Sequence, residues 1–143
     1  MAVELAYPAV FEADPDGDYV VTFPDFGVGA TQGDTYEEAI AHAADLLETM
    51  VANYMAEDWD LPNPSAANGR PLVRLAPLVA AKAELFRAMR AAGLSKGELA
   101  ERLGMPQQQC ARLFSIDHAQ RLDRIDAALA ALGRRLVVTT ETA

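Results

Sequence analysis

The sequence has little cysteine and histidine, and it lacks long apolar runs. Its one cysteine, Cys110, excludes a framework of intramolecular disulfides. No apolar stretch approaches the roughly 20 residues of a membrane-spanning helix. The N-terminus also lacks a basic region followed by an apolar segment, which is the pattern of an export signal. The two histidines, His42 and His118, have no Cys or Ser partner at a spacing that suggests nucleophilic catalysis. We therefore expect a soluble, cytoplasmic protein without catalytic residues and without a membrane partner.

Basic residues are scarce in the first half of the chain. Residues 1–70 carry 14 acidic side chains and one arginine, a formal charge of −13, whereas residues 71–143 carry 7 acidic and 11 basic side chains, a formal charge of +4. Such asymmetry indicates two partners of opposite charge. A phosphate backbone suits the second half, and a basic protein suits the first. The length of 143 residues allows one ordinary domain or two small ones.

Alternating aspartates invite a calcium-site interpretation near the start of the chain. Asp14, Asp16 and Asp18 alternate, and Asp25 follows eleven residues after the first. However, Gly17 comes at the fourth place of the loop, where a calcium loop has its glycine at the sixth, and the last ligand is not Glu. The same residues are typical of a tight turn. We predict a turn, with no metal site and no cofactor.

The first half predicts strands, one long helix and a further strand. Tyr7–Glu12 and Tyr19–Phe23 predict a hairpin around that turn, and residues 28–33 predict a third strand. Thr35 followed by Glu38 predicts a capping box at the start of the helix. The residues expected to face the sheet recur at three- and four-residue steps: Ile40, Ala43, Leu47, Met50, Val51 and Tyr54.

Three prolines in residues 62–71 exclude a regular element, so we predict a loop there. Trp59, just before this loop, is expected to close the small core. Leu72–Leu75 predicts one more strand that returns to the sheet. Domain boundaries are placed at 1–75 and 76–143.

Two short helical patterns separated by Gly104 dominate the second half. Ser95 and Glu98 form a capping-box pattern, and Leu99, Ala100 and Leu103 follow at helical spacing. Gly104 suits a turn that needs positive φ, and Pro106 suits the first turn of the next helix. The residues expected to bury the second helix against the first are Met105, Cys110 and Leu113. This pattern resembles the helix-turn-helix of bacterial repressors.

The outward residues of the second helix match the chemistry of base recognition. Gln107 and Gln108 can pair with adenine, Arg112 can pair with guanine, and the small Ala111 lets a helix sit deep in the major groove. The predicted phosphate contacts are Lys96, Arg102 and Arg121. A plain helical hairpin with a solvated polar face is the alternative. We predict sequence-specific binding of operator double-stranded DNA.

Flanking patterns complete an otherwise helical second half. Leu78–Ala92 predicts a helix with Leu85, Phe86 and Met89 facing inward, and Arg121–Leu132 predicts a last helix with Leu122, Ile125, Leu129 and Leu132 as its apolar stripe. Leu136–Thr140 predicts a short terminal strand with no neighbouring strand in its own domain. Pairing with a second copy would protect that edge, so we predict a homodimer through the C-terminal domain, alone or as half of a tetramer.

The segment FPDFGVGATQGDTYEEAIAHAADLLE, Phe23–Glu48, resembles the signature of HicB antitoxins. The match runs through a set of seven residues: Asp25, Gly33, Asp34, Thr35, Glu37, Glu38 and Ala39. Phe26 stands where the family commonly has Leu or Ile. Family members often carry a DNA-binding module behind this domain, so the resemblance covers nearly the whole chain.

The resemblance implies an α+β fold, in which a partial RNase H-like β-β-β-α-β domain precedes the helix-turn-helix domain. It implies neutralisation of a small basic HicA-type toxin, an mRNA-cleaving ribonuclease, and repression of the operon that encodes the pair. The residues expected to contact the toxin are Asp25, Phe26, Asp34, Glu37 and Glu38. Two alternatives stay open: a ligand-responsive repressor with no toxin partner, and an RNase H-like metal-dependent nuclease.

Overall fold

The computed structural model describes residues 4–27 and 29–142. The chain divides into two compact units, with the division between Ala76 and Pro77. We call them the sheet unit and the helical unit. The sheet unit contains every described strand together with one long helix, and the helical unit contains four helices. The predicted α+β class is confirmed.

The sheet unit contains five short strands and one helix. In chain order they are β1 (Ala6–Pro8), β2 (Val10–Ala13), β3 (Tyr19–Thr22), β4 (Ala30–Gly33), α1 (Tyr36–Ala56) and β5 (Leu72–Arg74). β2, β3 and β4 form an antiparallel three-stranded sheet, and β1 pairs with β5 in an antiparallel two-stranded sheet. The predicted hairpin is therefore confirmed, whereas the strand predicted to return to that sheet, β5, pairs with β1 in a separate sheet.

Two strand boundaries differ from the prediction. The first predicted strand is interrupted at Ala9, whose N–H donates to the carbonyl of Pro71 at 2.9 Å, so two strands stand where one was expected. The third predicted strand begins only at Ala30. Val28, which belonged to that prediction, lies outside the described residues.

The aspartates of the hairpin loop organise a turn. Asp14 Oδ1 accepts hydrogen bonds from the N–H groups of Asp16 and Asp18, both at 3.0 Å. Gly17 has a φ of 88°, a left-handed conformation that glycine adopts without steric cost. The turn interpretation of these residues is confirmed, because Asp14 uses its carboxylate to bind its own backbone.

Helix α1 starts where β4 ends, and the junction is tight. Thr35 Oγ1 accepts the N–H of Glu38 at 3.1 Å, which is the first of the two bonds of the predicted capping box. A Cβ on Gly33 would lie 2.5 Å from the backbone N of Ala39. Only glycine therefore lets β4 run directly beneath the first turn of α1.

The core of the sheet unit lies between α1 and the strands. Ala43, Leu47 and Val51 are fully buried, as the helical spacing predicted. Ile40 and Trp59 differ from the prediction, because 42% and 50% of their surfaces are exposed. Ile40 lies at the margin of the buried face of α1, and Trp59 lies beyond the end of that helix.

The helical unit consists of α2 (Pro77–Ala91), α3 (Lys96–Leu103), α4 (Gln107–Ala111) and α5 (Leu122–Ala131). Its buried side chains include those expected on α2: Leu85, Phe86 and Met89. Ile125 and Leu129 of α5 are buried as predicted, whereas Leu122 is largely exposed. Every helix among the described residues is too short or too polar to cross a membrane.

The predicted C-terminal strand is wrong for the single chain. Residues 136–142 have no regular secondary structure, and Val137 and Val138 are 70% and 75% exposed. The N–H of Leu136 donates to Asp126 Oδ1 at 2.8 Å instead of to a neighbouring strand. A strand is defined by its ladder of hydrogen bonds, and one copy of the helical unit offers this segment no ladder to join.

Candidate binding surfaces

Local signals define the α3–α4 hairpin at both of its ends. At the start, Ser95 Oγ accepts the N–H of Glu98, and a Glu98 carboxylate oxygen accepts the N–H of Ser95, both at 3.1 Å. This is the predicted capping box. At the turn, Gly104 has a φ of 65°, and the N–H of Met105 donates to the carbonyl of Ala100 at 3.1 Å. The turn thereby satisfies carbonyls that the end of α3 leaves without a helical partner.

Helix α4 is held against α3 by buried side chains. Leu99, Ala100, Cys110 and Leu113 are almost completely buried. Cys110 Sγ lies 3.7 Å from the carbonyl of Lys96 at the start of α3. Burial raises the pKa of the Cys110 thiol, and the nearby Lys96 opposes the shift. Cys110 is therefore a small packing residue that stays protonated near neutral pH.

The outward face of α4 carries the predicted base-reading residues. Gln107, Gln108, Ala111 and Arg112 are all exposed. The amide nitrogen of Gln107 lies 3.3 Å from where a Cβ would stand on Gly97, so this side chain packs over the first turn of α3. The structure brings these residues together on one short helix and its C-terminal cap.

The predicted phosphate contacts lie on different elements. Lys96 begins α3, and its ammonium is 5.7 Å from the ring centroid of Phe114. Arg102 is exposed near the end of α3. Arg121 precedes α5 and forms an exposed ion pair with Asp123 at 2.7 Å. Such exposed pairs contribute about 0–1 kcal/mol, so Arg121 can exchange Asp123 for another anion.

The segment after α4 is held by a residue that was not predicted from the sequence. Lys82 of α2 is fully buried, and its ammonium donates to the carbonyls of Arg112, at 3.1 Å, Ser115 and His118. Burial lowers the pKa of Lys82, and the carboxylate of Asp117 partly offsets this. The sequence does contain a sign of this role, because Lys82 lies three residues before the inward Leu85 and is therefore a charged residue on the apolar face of α2.

A cavity of about 300 Å³ lies between the α3–α4 turn and α5. It is lined mainly by apolar side chains, with Gln109, Gln120 and Arg124 at its polar positions. Met105 and Leu113 form part of its wall next to α4. The cavity therefore opens beside the same helix that carries the predicted base-reading residues.

In the sheet unit, two predicted toxin contacts have structural roles. Phe26 is 5% exposed, and its ring centroid lies 4.8 Å from that of Tyr7 and 5.3 Å from that of Tyr54. Asp25 Oδ2 accepts the N–H of Ser65 at 2.9 Å and so holds the loop before β5. Phe26 therefore offers a partner little surface, and Asp25 is already engaged in loop formation.

The other predicted contacts lie at the exposed start of α1. Asp34, Glu37 and Glu38 are all exposed, and Asp34 approaches Asp18 of the hairpin loop. The pKa of Asp18 is raised, first by desolvation and then by the negative charges of Asp14 and Asp34. The structure thus gathers acidic side chains from two segments that are distant in sequence.

Most of the chain is similar in sequence to known proteins. Residues 6–84 match the family model described as a HicB-like antitoxin of a bacterial toxin–antitoxin system. Antitoxin HicB of Escherichia coli K12 is 36% identical over 133 residues, which cover 92% of this chain and 96% of the relative. Antitoxin HicB 2 of Photorhabdus laumondii is 38% identical over 136 residues, covering 95% and 96%. The chain belongs to the HicB-like antitoxin family.

Membership in the HicB-like family confirms two predictions. The resemblance drawn from Phe23–Glu48 is correct, and so is the expectation of a protein without catalytic residues, because antitoxins are not enzymes. The nuclease alternative is therefore excluded. Among solved structures, a chain of a toxin–antitoxin complex from Streptococcus pneumoniae aligns with 73% of this chain and 92% of its own length, at 24% identity and a TM-score of 0.42.

Proposed function

We propose that this HicB-like antitoxin neutralises a small basic HicA-type mRNA-cleaving toxin through its sheet unit and represses its own operon through its helical unit. Family membership supports the toxin half of the proposal. We further infer that the sheet unit is a partial RNase H-like domain, since the β2–β3–β4 sheet, α1 and β5 follow the order expected for one.

Charge is the observation that carries the toxin half. Residues 1–76 contain 14 acidic side chains and only two basic ones, Arg70 and Arg74. Arg70 donates to the carbonyls of Ala66 and Ala67 in its own loop, and Arg74 Nε donates to Glu4 at 2.8 Å. The negative charge of this unit therefore suits a partner with a positive, RNA-binding surface, since complementary fields speed encounter and favour the right partner.

The exposed face of α4 carries the DNA half of the proposal. We interpret α3, the Gly104 turn and α4 as a helix-turn-helix, with α4 as the reading helix. Arg112 can form two hydrogen bonds to guanine, and Gln108 can do the same with adenine. Lys96 and Arg102 provide positive charge for the flanking phosphates.

The toxin half is tested by co-expression with the product of the small reading frame adjacent to this gene. We expect that product to arrest growth when expressed alone and to be harmless when this chain is present. A pull-down should recover both proteins as one complex. Absence of both toxicity and complex would contradict the toxin half and leave the DNA half standing.

The DNA half is tested by titrating the promoter region of the operon with the purified full chain. Replacing Arg112 with Ala should weaken operator binding by about 1–3 kcal/mol and relax the base preference at one position. Arg87→Ala is the control, because Arg87 binds Glu84 on α2 at 3.0 Å. Unchanged affinity and unchanged specificity for Arg112→Ala would contradict the assignment of α4 as the reading helix.

We also propose a homodimer through the C-terminal part of the helical unit. Leu122, Val137 and Val138 are large apolar residues with exposed surfaces. Pairing two copies of residues 136–140 as strands would cover the valines and satisfy the backbone. Light scattering on the full chain should give a dimer or a tetramer, and Val137→Asp should lower the mass. A monomeric mass for the unmodified chain at micromolar concentration would refute this.

A further inference from the structure

Three aromatic rings meet at the edge of the sheet unit, where the hairpin meets the start of α1. The ring centroid of Tyr36 lies 5.1 Å from that of Phe11 and 5.7 Å from that of Tyr19. The register pairs Phe11 with Val21 and Ala13 with Tyr19, so both rings point to the side of the sheet on which Val21 is buried. Tyr36 reaches them from the first position of α1.

These side chains remain in part open to solvent. Tyr36 is 38% exposed, Ile40 lies one helical turn further along the same face of α1, and Phe11 and Tyr19 are half-buried. We call Phe11, Tyr19, Tyr36 and Ile40 the Tyr36 patch. Apolar patches rimmed by polar groups mark interaction sites, and tyrosine is enriched among the residues that contribute most to binding.

The rim of the Tyr36 patch is acidic. Asp18 directly precedes Tyr19, Asp34 lies two residues before Tyr36, and Glu37 directly follows Tyr36. The charged neighbours that act on Asp18 are Asp14, Asp34 and Glu38, and each of them raises its pKa. A rim of this charge is complementary to a positively charged partner surface.

We propose that the Tyr36 patch and its acidic rim are the surface on which the basic toxin docks, an inference that rests on the proposed function. The sign of the charge selects this occupant, because DNA and the same patch of a second copy both carry negative charge. An arginine of the toxin can lie over an exposed tyrosine ring and bind a rim carboxylate at the same time. The tyrosines then supply affinity, and the carboxylates supply rate and specificity.

Two substitutions test the patch in the full chain, with the product of the adjacent small reading frame as the probe. Tyr36→Ala removes the central ring, and we expect it to weaken the complex by about tenfold or more. Glu37→Lys reverses one rim charge, and we expect it to slow association, most strongly at low salt. Binding is measured by surface plasmon resonance at two ionic strengths.

Matched controls lie at the opposite end of the same helix, about 30 Å from Glu37 at 1.5 Å per residue. Trp59→Ala removes a half-exposed aromatic ring, and Glu57→Lys makes the same charge change as Glu37→Lys. We expect both control variants to bind the probe within about twofold of the unmodified chain, in line with substitutions outside an interface.

A third variant separates docking from folding. Asp18→Asn removes one of the crowded charges, so we expect it to raise the urea midpoint of the sheet unit while it weakens the complex. A purely structural role for Asp18 would move stability and affinity in the same direction. That outcome would count against the inference, as would rim and control variants that bind alike.

The outcomes distinguish the inference from the function on which it rests. If the unmodified chain does not bind the probe, the toxin half of the proposed function fails, and the inference fails with it. If the unmodified chain binds and Tyr36→Ala and Glu37→Lys bind equally well, only the Tyr36 patch is refuted. Weakened binding by both, with Trp59→Ala and Glu57→Lys unchanged, supports the patch.

Discussion

Replacing Lys82 with methionine should destabilise the helical unit more than any other removal of a single charge. The ammonium of Lys82 donates to three backbone carbonyls, those of Arg112, Ser115 and His118. Methionine fills a similar volume, but it leaves all three carbonyls without that donor. When both partners of a buried ion pair are replaced by apolar residues, neither charge is left without a partner. Here the acceptors are backbone carbonyls, which remain whatever side chain replaces Lys82, so they still need a donor.

The magnitude follows from the number of bonds and from what water can replace. A hydrogen bond to a charged group contributes about 1.5–3 kcal/mol, so three of them contribute roughly 4–9 kcal/mol before other terms are counted. Methionine avoids the cost of burying an ammonium, which is several kcal/mol. Water can also reach part of the segment, since Arg112 and His118 are exposed residues. We therefore expect a net loss of about 2–4 kcal/mol in the free energy of unfolding.

Urea denaturation followed by circular dichroism measures this loss. With an m-value of about 1–2 kcal/mol/M, the midpoint of the helical unit should fall by about 2 M. The only tryptophan, Trp59, lies in the sheet unit, so its fluorescence reports whether that unit unfolds at an unchanged midpoint. Arg87→Met is the control, because it removes a charge from α2 that pairs with the partly exposed Glu84. A change of under about 0.5 kcal/mol for Lys82→Met, the range of ordinary surface substitutions, would refute the reasoning.

Three further predictions concern packing, reactivity and pH. Gly33→Ala should destabilise the sheet unit by about 1–3 kcal/mol, because its Cβ would lie 2.5 Å from the backbone N of Ala39; an unchanged midpoint in tryptophan fluorescence would contradict this. Cys110 is buried and its thiol pKa is raised, so a thiol reagent at neutral pH should react slowly with the folded chain and rapidly in denaturant; equal rates would show that the site is open. The pKa of Asp18 is raised above 3.8 in the folded protein, so the folded state binds its proton more tightly and stability falls as pH rises through that pKa. Asp18→Asn should consequently stabilise the chain at neutral pH and lose this effect well below pH 3.8, and a pH-independent effect would contradict the assignment.

Elements that depend on local signals were predictable from the sequence. The capping box of Ser95 and Glu98 and the left-handed turn at Gly104 involve residues within one or two helical turns of each other. Their hydrogen bonds are determined by backbone geometry at fixed sequence offsets. The same holds for Asp14, whose carboxylate binds its own backbone two and four residues later.

Features that depend on distant segments were not predictable in the same way. Lys82 finds its acceptors 30 to 36 residues away, and no periodicity within α2 indicates where those carbonyls lie. Phe26 was expected at an interface because it lies in a signature motif. It is buried because Tyr7 and Tyr54, from either side of it in the chain, close over it. The spacing of apolar residues in the sequence indicates which face of a helix is buried. It does not indicate which other segments pack against that face.

The family signature itself is largely explained by the junction between β4 and α1. Gly33 is required because the first turn of α1 crosses it, and Thr35 caps that turn by accepting the N–H of Glu38. These residues form the fold of the sheet unit, so their presence in a sequence predicts the fold without defining the partner. Under the proposed docking of the toxin on the Tyr36 patch, the residues that select the toxin lie beside the signature and not within it. Tyr36 occupies such a position, because it directly follows the capping residue Thr35 and its ring packs against those of Phe11 and Tyr19.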